Sequence, residues 1–402
     1  MTMNIRVLDI ASFDDAVRRI RDIHADPGAV PLMARKAILR PVLLSGIDNR
    51  AANIIKQEAL SLGGEAAVNW QVSSFKRGTS DVLLLLTERQ YALLVSKLSL
   101  QPFGLRAWGT QLAQALACYS SGETVLGCGR SKMPLNGKTL VMGILNVTPD
   151  SFSDGGSYNG YHRAVARAEE MAAQGADIID VGGESTRPGA RPVPVKEEIA
   201  RVVPVIRAVV KKVKARVSVD TYKPAVAKAA LEAGARLVND ITGLRYDHGK
   251  MAAVIRDARV PVVLMHMQGT PRTMQKNPHY KNVVSDIGDF FQERIEFARS
   301  RGIQDEQLVL DPGIGFGKTE EHNLELLKRI AEFRVFGRPL LIGASRKSFL
   351  GKVLGGAGPA GRVAASVAVA VWAADKGVQI VRVHDVRETA EALKTICSIK
   401  TH

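Results

Sequence analysis

The pattern of apolar and polar residues becomes regular about a third of the way along the chain. From Leu140 onward, short apolar runs end in polar residues, and each run is followed by a turn and an amphipathic helical pattern. The runs are Leu140–Leu145, Asp177–Val181, Val217–Val219, Leu237–Val238, Pro261–Met265, Leu308–Leu310, Pro339–Ile342 and Gln379–Val383. The helical patterns are His162–Gln174, Lys196–Val210, Ala225–Ala233, Lys250–Arg256, Val283–Arg299, Glu320–Phe333, Arg362–Asp375 and Arg387–Ile396. Eight strand–helix units predict a (β/α)₈ TIM barrel, an α/β fold, and a doubly wound open sheet is the alternative.

Residues 1–130 have a less regular pattern. Two short apolar runs, Pro41–Leu44 and Val82–Leu86, alternate with helical patterns. These helical patterns are Asp14–Asp22, Asn49–Leu62, Glu88–Lys97 and Arg106–Tyr119. The mixture predicts a smaller α/β or α+β domain over 1–130, whose role the sequence does not reveal. Glycines and prolines in Ser120–Lys138 predict a linker, so the barrel is expected over 131–402.

Composition narrows the class of protein. Of the 402 residues, 46% are hydrophobic and 24% charged, which is typical of a soluble globular protein. The three cysteines show neither paired spacing nor a nearby histidine, so neither a disulfide framework nor a zinc site is expected. The start of the chain lacks the pattern of a secretory signal, and the longest apolar stretch, Val363–Ala374, is too short to cross a membrane. We therefore expect a cytoplasmic protein that does not interact with membranes.

The formal net charge of +15 favours anionic partners. Nucleic acid is the less favoured of these, because no basic run carries interleaved aromatic residues and aromatics make up only 5% of the chain. Anionic small molecules suit the charge better.

The carboxyl ends of the predicted strands are where a TIM barrel builds its active site. All eight runs lead to polar residues: Asn146, the stretch 182–189, Asp220, Asn239 with Asp240, His266, Asp311, the stretch 345–348, and Arg382 with His384. Asp220, Asn239, Asp311 and Lys347 offer acceptors, an amide and a cation, which suit a flat heterocycle with an amidine-like edge. Asn146, Arg382 and His384 suit an anion.

A glycine-rich stretch, 313–319, resembles a phosphate-binding loop but has Pro312 where the first glycine should stand. We therefore interpret its glycines as a close approach of backbone to a ligand, with Phe316 as an apolar wall.

Eight strings in order along residues 140–390 resemble the motifs of dihydropteroate synthases: MGILNVTPDSFSDGG, GGESTRPGA, SVDTYKP, VNDITG, LMHMQG, LDPGIGFGK, GASRKSFLG and VRVHDV. The resemblance implies a pterin-binding TIM barrel that condenses 6-hydroxymethyl-7,8-dihydropterin pyrophosphate with p-aminobenzoate. The products are 7,8-dihydropteroate and pyrophosphate, in folate biosynthesis, with Mg²⁺ assisting. It also implies a homodimer and a target of sulfonamides. It does not cover 1–130, although longer members carry such an extension.

The family's site residues are assigned to the positions of this chain that match the family's motifs. The resemblance implies that the pterin is bound by Asp220, Asn239, Met265, Asp311 and Lys347, and that Gly343 also belongs to the substrate-binding residues. It implies that the pyrophosphate is bound by Asn146, Arg382 and His384, with Asn146 touching the metal. For p-aminobenzoate it implies a frame of Thr186, Arg187, Pro188, Phe316 and Ser348. The residues expected to serve catalysis are Asp154, Arg187, Lys347, Arg382 and His384.

Two other functions remain open at this stage. A methyltransferase that moves a methyl group from methyltetrahydrofolate to a corrinoid protein shares the barrel and the Asp and Asn contacts, but it has no need of the STRPG, SRKS and RVHD strings. A catalytically silent pterin-binding protein is the other alternative.

Overall fold

The computed structural model describes residues 5–10, 12–74, 76–120, 125–127, 132–135, 137–147, 156–185 and 189–401. The chain forms two compact units, Met1–Cys118 and Tyr119–His402. No helix among the described residues is long and apolar enough to cross a membrane.

The N-terminal unit is built on a small antiparallel sheet. Its strands are β1 (Leu39–Asp48), β2 (Glu65–Val68) and β3 (Thr79–Thr87), in the order β1-β3-β2. Its helices are α1 (Phe13–Asp22), α2 (Val30–Ala37), α3 (Asn49–Ser61), α4 (Trp70–Ser73), α5 (Glu88–Leu98) and α6 (Leu105–Ser120). The antiparallel pairing fits the α+β option of the sequence prediction.

Period-two patterning explains how this sheet packs. Along β3, Val82, Leu84 and Leu86 are fully buried, while Leu83 between them is 36% exposed. The buried side chains form one apolar core with residues of α3, α5 and α6. One face of the sheet is therefore covered by helices, as alternating side-chain direction requires.

A hairpin lies inside the stretch that the sequence predicts as a linker. Strands β4 (Val125–Leu126) and β5 (Met133–Pro134) pair antiparallel. Leu126, Met133 and Leu135 are buried in an apolar cluster with residues of seven strands of the barrel. The linker prediction was therefore wrong for this part, because two-residue strands leave no periodic pattern in a sequence.

Eight parallel strands form a nearly closed barrel. They are β6 (Leu140–Asn146), β7 (Ile178–Gly182), β8 (Arg216–Asp220), β9 (Leu237–Asp240), β10 (Val262–Met265), β11 (Leu308–Asp311), β12 (Leu341–Ile342) and β13 (Ile380–Val383). The sheet order runs from β11 through β6 to β12. A parallel bridge between Leu310 and Leu340 joins the two ends, which excludes the open-sheet alternative. The TIM-barrel prediction is confirmed.

Helices surround the barrel as the sequence predicts. They are α7 (Gly156–Ala173), α8 (Val195–Lys212), α9 (Pro224–Glu232), α10 (Lys250–Ala258), α11 (Val283–Ser300), α12 (Glu320–Lys328), α13 (Ser348–Val353), α14 (Val363–Asp375) and α15 (Val386–Thr401). Short 3₁₀ helices cover Asp305–Gln307, Ile330–Phe336 and Pro359–Arg362.

Side chains alternate between the inside and the outside of the barrel. On β6, Met142 belongs to the interior cluster with the hairpin, whereas Val141 and Leu145 pack in the outer core against the helices. The strands are therefore buried on both faces, which accounts for their nearly continuous apolar sequences. Toward the carboxyl ends, the inward positions change from apolar to charged and amide side chains.

Candidate active site at the barrel mouth

The inward positions at the carboxyl ends of the strands hold the predicted pterin residues. Asp220, Asn239, Met265 and Asp311 lie at or next to the last residues of β8, β9, β10 and β11, and all four are buried. Because parallel strands end at one rim, these side chains share the mouth of the barrel.

Arg382, on β13, connects the acidic side chains of this mouth. Its Nη2 donates to Asp220 Oδ2 at 2.7 Å, and its Nε donates to Asp180 Oδ2 at 2.6 Å. Gly343 lies beside it, since a Cβ added there would be 3.7 Å from Arg382 Cβ. The guanidinium is thus held among the acidic groups of the barrel mouth.

Asp180 is a buried residue that the sequence did not single out. It lies in the middle of β7 and is 0% exposed. Its Oδ2 accepts a hydrogen bond from Asn239 Nδ2 at 3.1 Å as well as the one from Arg382. Its position inside an apolar run, rather than at the end of one, is why the strand-end rule missed it.

Lys347 and Phe316 form the other side of the mouth. Lys347 Nζ lies 4.2 Å from the centroid of the Phe316 ring and donates to the carbonyl of Ile314. A cation over an aromatic face is a favourable contact. Asp311 Oδ1 accepts from the backbone N–H of Gly313 at 2.7 Å, which ties the strand end to the glycine-rich loop.

Burial shifts the ionisation of these groups strongly. Burial raises the pKa of Asp220 to about 7, against the opposing effect of the Arg382 charge, and the negative charge of Asp180 adds to the rise. Burial lowers the pKa of Lys347 to about 7, and the charge of Asp311 opposes that fall. Burial also raises the pKa of Asp311, which the Lys347 charge opposes. Such shifts are typical of functional sites.

An apolar wall borders the charged groups. Met265 clusters with Ile241, Met267 and Met274, and Phe316 packs against this cluster. Ser348 is exposed as the first residue of α13. The mouth therefore offers a flat apolar surface beside its hydrogen-bonding groups.

A cavity of about 300 Å³ lies at the end of β6, between α7 and the end of β13. Its polar lining consists of Asn146, Arg167, Arg346 and His384. His384 is fixed by Ser345, whose Oγ lies 3.1 Å from both His384 N and His384 Nδ1. Arg346 pairs with Asp385 and Arg167 with Glu170. The remaining hydrogen-bond donors of these arginines, with His384 and an amide, suit an anion.

The glycine-rich loop packs against its neighbours. Gly313 and Gly315 have φ of +66° and +79°. A Cβ on Gly313 would lie 2.0 Å from the carbonyl oxygen of His266, and one on Gly315 would lie 2.7 Å from Lys347 Cδ. The glycines therefore allow a close approach of backbone to protein groups, which differs from the cradle of a phosphate loop.

Two buried polar clusters lie near the mouth, and the sequence did not predict the pairings within them. Lys318 Nζ contacts His266 Nδ1 at 3.0 Å and donates to the Phe316 carbonyl, and burial lowers the pKa of both Lys318 and His266. In the second cluster, Lys223 Nζ donates to Glu184 at 2.5 Å and to Glu198 at 2.6 Å. The residues of each cluster lie far apart in the sequence, so no local pattern reveals them.

Four predicted site residues lie outside the described residues. They are Asp154 in the stretch after β6, and Thr186, Arg187 and Pro188 in the stretch after β7. Glu184, at the start of that second stretch, accepts from Lys223, from Tyr222 Oη at 2.9 Å and from the backbone N–H of Val193.

Comparisons with known proteins agree with this site. The profile of the family described as "Pterin binding enzyme" matches residues 142–384. The dihydropteroate synthase of Escherichia coli (strain K12) is 50% identical over 256 residues, which cover 64% of this chain and 90% of that protein. A probable bifunctional folylpolyglutamate synthase/dihydropteroate synthase of Halobacterium salinarum is 41% identical over 98% of this chain and 47% of its own length.

A solved structure gives the same result. The dihydropteroate synthase of Xanthomonas albilineans with 4-aminobenzoic acid has a TM-score of 0.65 and 44% identity to this chain. The match covers 70% of this chain and 99% of that one. The chain therefore belongs to the pterin-binding enzyme family and, within it, to the dihydropteroate synthases, which are transferases of folate biosynthesis.

Proposed function

We propose that the barrel mouth condenses 6-hydroxymethyl-7,8-dihydropterin pyrophosphate with p-aminobenzoate in two steps, in which pyrophosphate departs before the amine attacks. The observation that carries the proposal is the meeting of carboxylates, an amide and cations in one buried mouth, next to a basic cavity. The mouth suits the pterin ring and the cavity suits the pyrophosphate.

The pterin end would recognise the ring by fully paired hydrogen bonds. Carboxylate oxygens of Asp311 and Asp220 accept from ring N–H groups, and the Lys347 ammonium donates to the ring carbonyl. Met265 supplies an apolar face. Because these groups are buried, an analogue that lacks a matching donor leaves a polar group unpaired, which costs free energy.

The order of the steps follows from the chemistry of the two reactants. An aryl amine is a poor nucleophile, because its lone pair is delocalised into the ring. The pterin methylene can share positive charge with its ring. The C–O bond to pyrophosphate therefore breaks first, the C–N bond forms next, and the arylammonium loses its proton to solvent.

The protein favours this order by placing charge at both ends. Asp220 and Asp311 stabilise positive charge on the pterin, and their fixed positions avoid a cost of reorganisation. His384, Asn146 and Arg382 receive the negative charge that develops on the leaving group. Arg167 and Arg346 line the cavity that also contains His384 and Asn146, whereas Arg382 reaches the leaving group from the neighbouring mouth, where it pairs with Asp180 and Asp220.

The residues at the mouth fit a magnesium ion held mainly by the substrate. Among the described residues, no three His, Cys, Asp or Glu side chains are grouped as a metal site. Gly182 lies beside both Asn146 Oδ1 and Asp220 Oδ2, since an added Cβ there would lie 3.8 Å and 3.6 Å from them, so two oxygen donors border one position at the mouth. Mg²⁺ prefers such oxygen donors and often takes only one or two from the protein. Asn146 would hold the ion, which would neutralise charge on the pyrophosphate.

The amine would bind next to Phe316 and Ser348. The helix that begins at Ser348 has free backbone N–H groups at its start, which suit the carboxylate of p-aminobenzoate. The family resemblance assigns the rest of this pocket to Thr186, Arg187 and Pro188, and the exclusion of water to Asp154 and Arg187.

Release of pyrophosphate tests the function. We expect pyrophosphate and dihydropteroate in equal amounts when both substrates and Mg²⁺ are mixed with the chain. Methyl transfer from methyltetrahydrofolate to a corrinoid protein would favour the first alternative. Binding of pterin without any product would favour the catalytically silent one.

Isotope scrambling tests the order of the steps. The bridging oxygen of the dihydropterin pyrophosphate is labelled with ¹⁸O, and benzoate, which has no amine, takes the place of p-aminobenzoate. Early departure predicts that the label moves into non-bridging positions of recovered substrate. Recovered substrate without scrambling would contradict this order.

The assembly and the location are further proposals. The family resemblance supports a homodimer, which light scattering of the purified chain can test. The sequence supports a cytoplasmic location. The Halobacterium salinarum relative matches nearly the whole of this chain, which supports the view that residues 1–118 are a regular part of long dihydropteroate synthases. We propose a packing or oligomerisation role for this unit.

A further inference from the structure

Asp180 contacts two of the residues assigned to substrate without being one of them. Its Oδ2 accepts from Arg382 Nε at 2.6 Å and from Asn239 Nδ2 at 3.1 Å. The three residues come from β7, β9 and β13. A single carboxylate oxygen thus joins three strands of the barrel mouth.

The first consequence concerns the side-chain amide of Asn239. A carboxylate can only accept hydrogen bonds, so the NH₂ group of Asn239 must be the group that faces Asp180. The amide is 4% exposed and cannot turn over without placing two acceptors against each other. Its Oδ1 and its second N–H are therefore offered to the pterin in one fixed order.

The second consequence concerns the guanidinium of Arg382. Asp180 holds its Nε side and Asp220 holds its Nη2 side. This double pairing keeps the cation at the pterin end, where Gly343 leaves room for its stem. Each carboxylate also offsets part of the positive charge that an anion would meet.

Asp180 also carries an unsatisfied atom. Within the described residues, neither Asp180 Oδ1 nor Ser218 Oγ has a hydrogen-bond partner, and the two residues are paired neighbours on β7 and β8. Leaving a buried acceptor unpaired costs stability. Packing alone gives no reason to keep such a carboxylate at the mouth, whereas a role in ordering substrate groups does.

We infer that Asp180 is a positioning residue for pterin recognition, which sets the orientation of Asn239 and holds Arg382 at the pterin end against the attraction of pyrophosphate. The inference rests on the proposed function. Asp180 therefore strengthens the binding of the pterin and weakens the binding of the pyrophosphate.

The variant Asp180→Asn, made in the full-length chain, tests these opposite effects on the two affinities. The amide keeps the shape of the side chain but removes its charge and the constraint on Asn239. By calorimetry, we expect affinity for 6-hydroxymethylpterin to fall about tenfold or more, in the range of a lost charged hydrogen bond. We expect affinity for inorganic pyrophosphate to rise, because Arg382 has lost one competing carboxylate.

A matched control is Asp240→Asn on the neighbouring position of β9. Asp240 is also fully buried, but among the described residues its side chain bonds only within its own turn, to Thr242 and the backbone of Leu244. This variant should lower the unfolding temperature without the opposite changes in the two affinities. If Asp180→Asn lowers both affinities together, or changes neither, the inference is wrong.

A reciprocal exchange covers the case in which Asp180→Asn does not fold. The double variant Asp180→Asn, Asn239→Asp restores a hydrogen bond between the two positions with its direction reversed. It should fold, yet it should bind pterin weakly, because position 239 now offers acceptors only. Pterin affinity equal to that of the wild type would overturn the role of Asn239 orientation.

The wild-type chain separates this inference from the proposed function. If the wild type binds neither probe and releases no pyrophosphate from the two substrates, the proposed function fails. If the wild type is active and Asp180→Asn does not change the pterin and pyrophosphate affinities in opposite directions, only the role of Asp180 fails.

Discussion

The two units of this chain differ in what they bury. Of the nineteen buried polar or charged side chains among the described residues, eighteen belong to the barrel unit, and only Asn49 belongs to the N-terminal unit. The N-terminal unit otherwise buries apolar side chains in a helix-covered sheet. Buried polar groups reduce stability unless they are fully paired, so a protein keeps many of them only where they serve a purpose. The comparison favours the barrel, rather than the N-terminal unit, as the part of the chain that carries the chemistry.

The same division exists inside the barrel. At the end where the hairpin lies, the interior is an apolar cluster that includes Leu126 and Met142. At the opposite end, the interior contains Asp180, Asp220 and Arg382. In TIM barrels the carboxyl ends of the strands generally form the active site, and the opposite end generally stabilises the fold. The two ends of this barrel differ in the same way.

The largest effect is expected from Arg382→Ala. It removes the cation that is proposed to serve the leaving group and leaves two buried carboxylates, Asp180 and Asp220, without their ion-pair partner. We expect kcat/KM for pyrophosphate release to fall roughly a hundred- to a thousandfold, about 3–4 kcal/mol of transition-state stabilisation. The control is Arg299→Ala, which removes a half-exposed arginine paired with Asp305. Near-normal turnover of Arg382→Ala would exclude it from leaving-group stabilisation.

Leu126→Ala tests the apolar end. Leu126 is 0% exposed in the interior cluster, so truncation leaves a cavity and should cost about 3 kcal/mol of unfolding free energy. The neighbouring Val125 is 47% exposed, and Val125→Ala should change stability little. Denaturant unfolding measures both variants. A loss of pterin affinity in folded Leu126→Ala would contradict the separation of the two ends.

Asp311→Asn should weaken pterin binding without unfolding the barrel. The substitution replaces an acceptor by an amide and removes the charge that faces Lys347, at a cost of about 2 kcal/mol in pterin affinity. Calorimetry with 6-hydroxymethylpterin measures the change. Unchanged affinity would count against the assignment of Asp311 to the pterin.

The smallest effect is a dependence of pterin affinity on pH. Recognition needs Asp220 ionised, which favours high pH, and Lys347 protonated, which favours low pH. The pKa of each is about 7, so affinity should peak near neutrality. It should be about threefold weaker one pH unit to either side. In Lys347→Arg, the guanidinium stays charged, so the fall above pH 7 should disappear. A flat profile in the wild type would contradict the pKa shifts of both groups.

The sequence predicted the barrel and most of its rim because each strand ends where its apolar run ends. The run Val217–Val219, for example, lies inside β8 (Arg216–Asp220), and its polar end is Asp220. Asp180 could not be found in this way, because it stands inside a strand and its partners are 59 and 202 residues away. The hairpin at Val125–Leu126 was missed for a different reason. Its strands are too short for a periodic pattern, and their stability comes from contacts with the barrel.

We expect the barrel unit to contain every residue that the reaction needs. The most direct measurement is the turnover of residues 119–402 expressed alone, a unit that retains Leu126 and the hairpin. Circular dichroism and cooperative thermal unfolding would first establish that this unit is folded. We expect this unit to release pyrophosphate with kcat and KM close to those of the full chain. A folded barrel unit that binds pterin but forms no dihydropteroate would contradict it, and would assign part of the chemistry to residues 1–118.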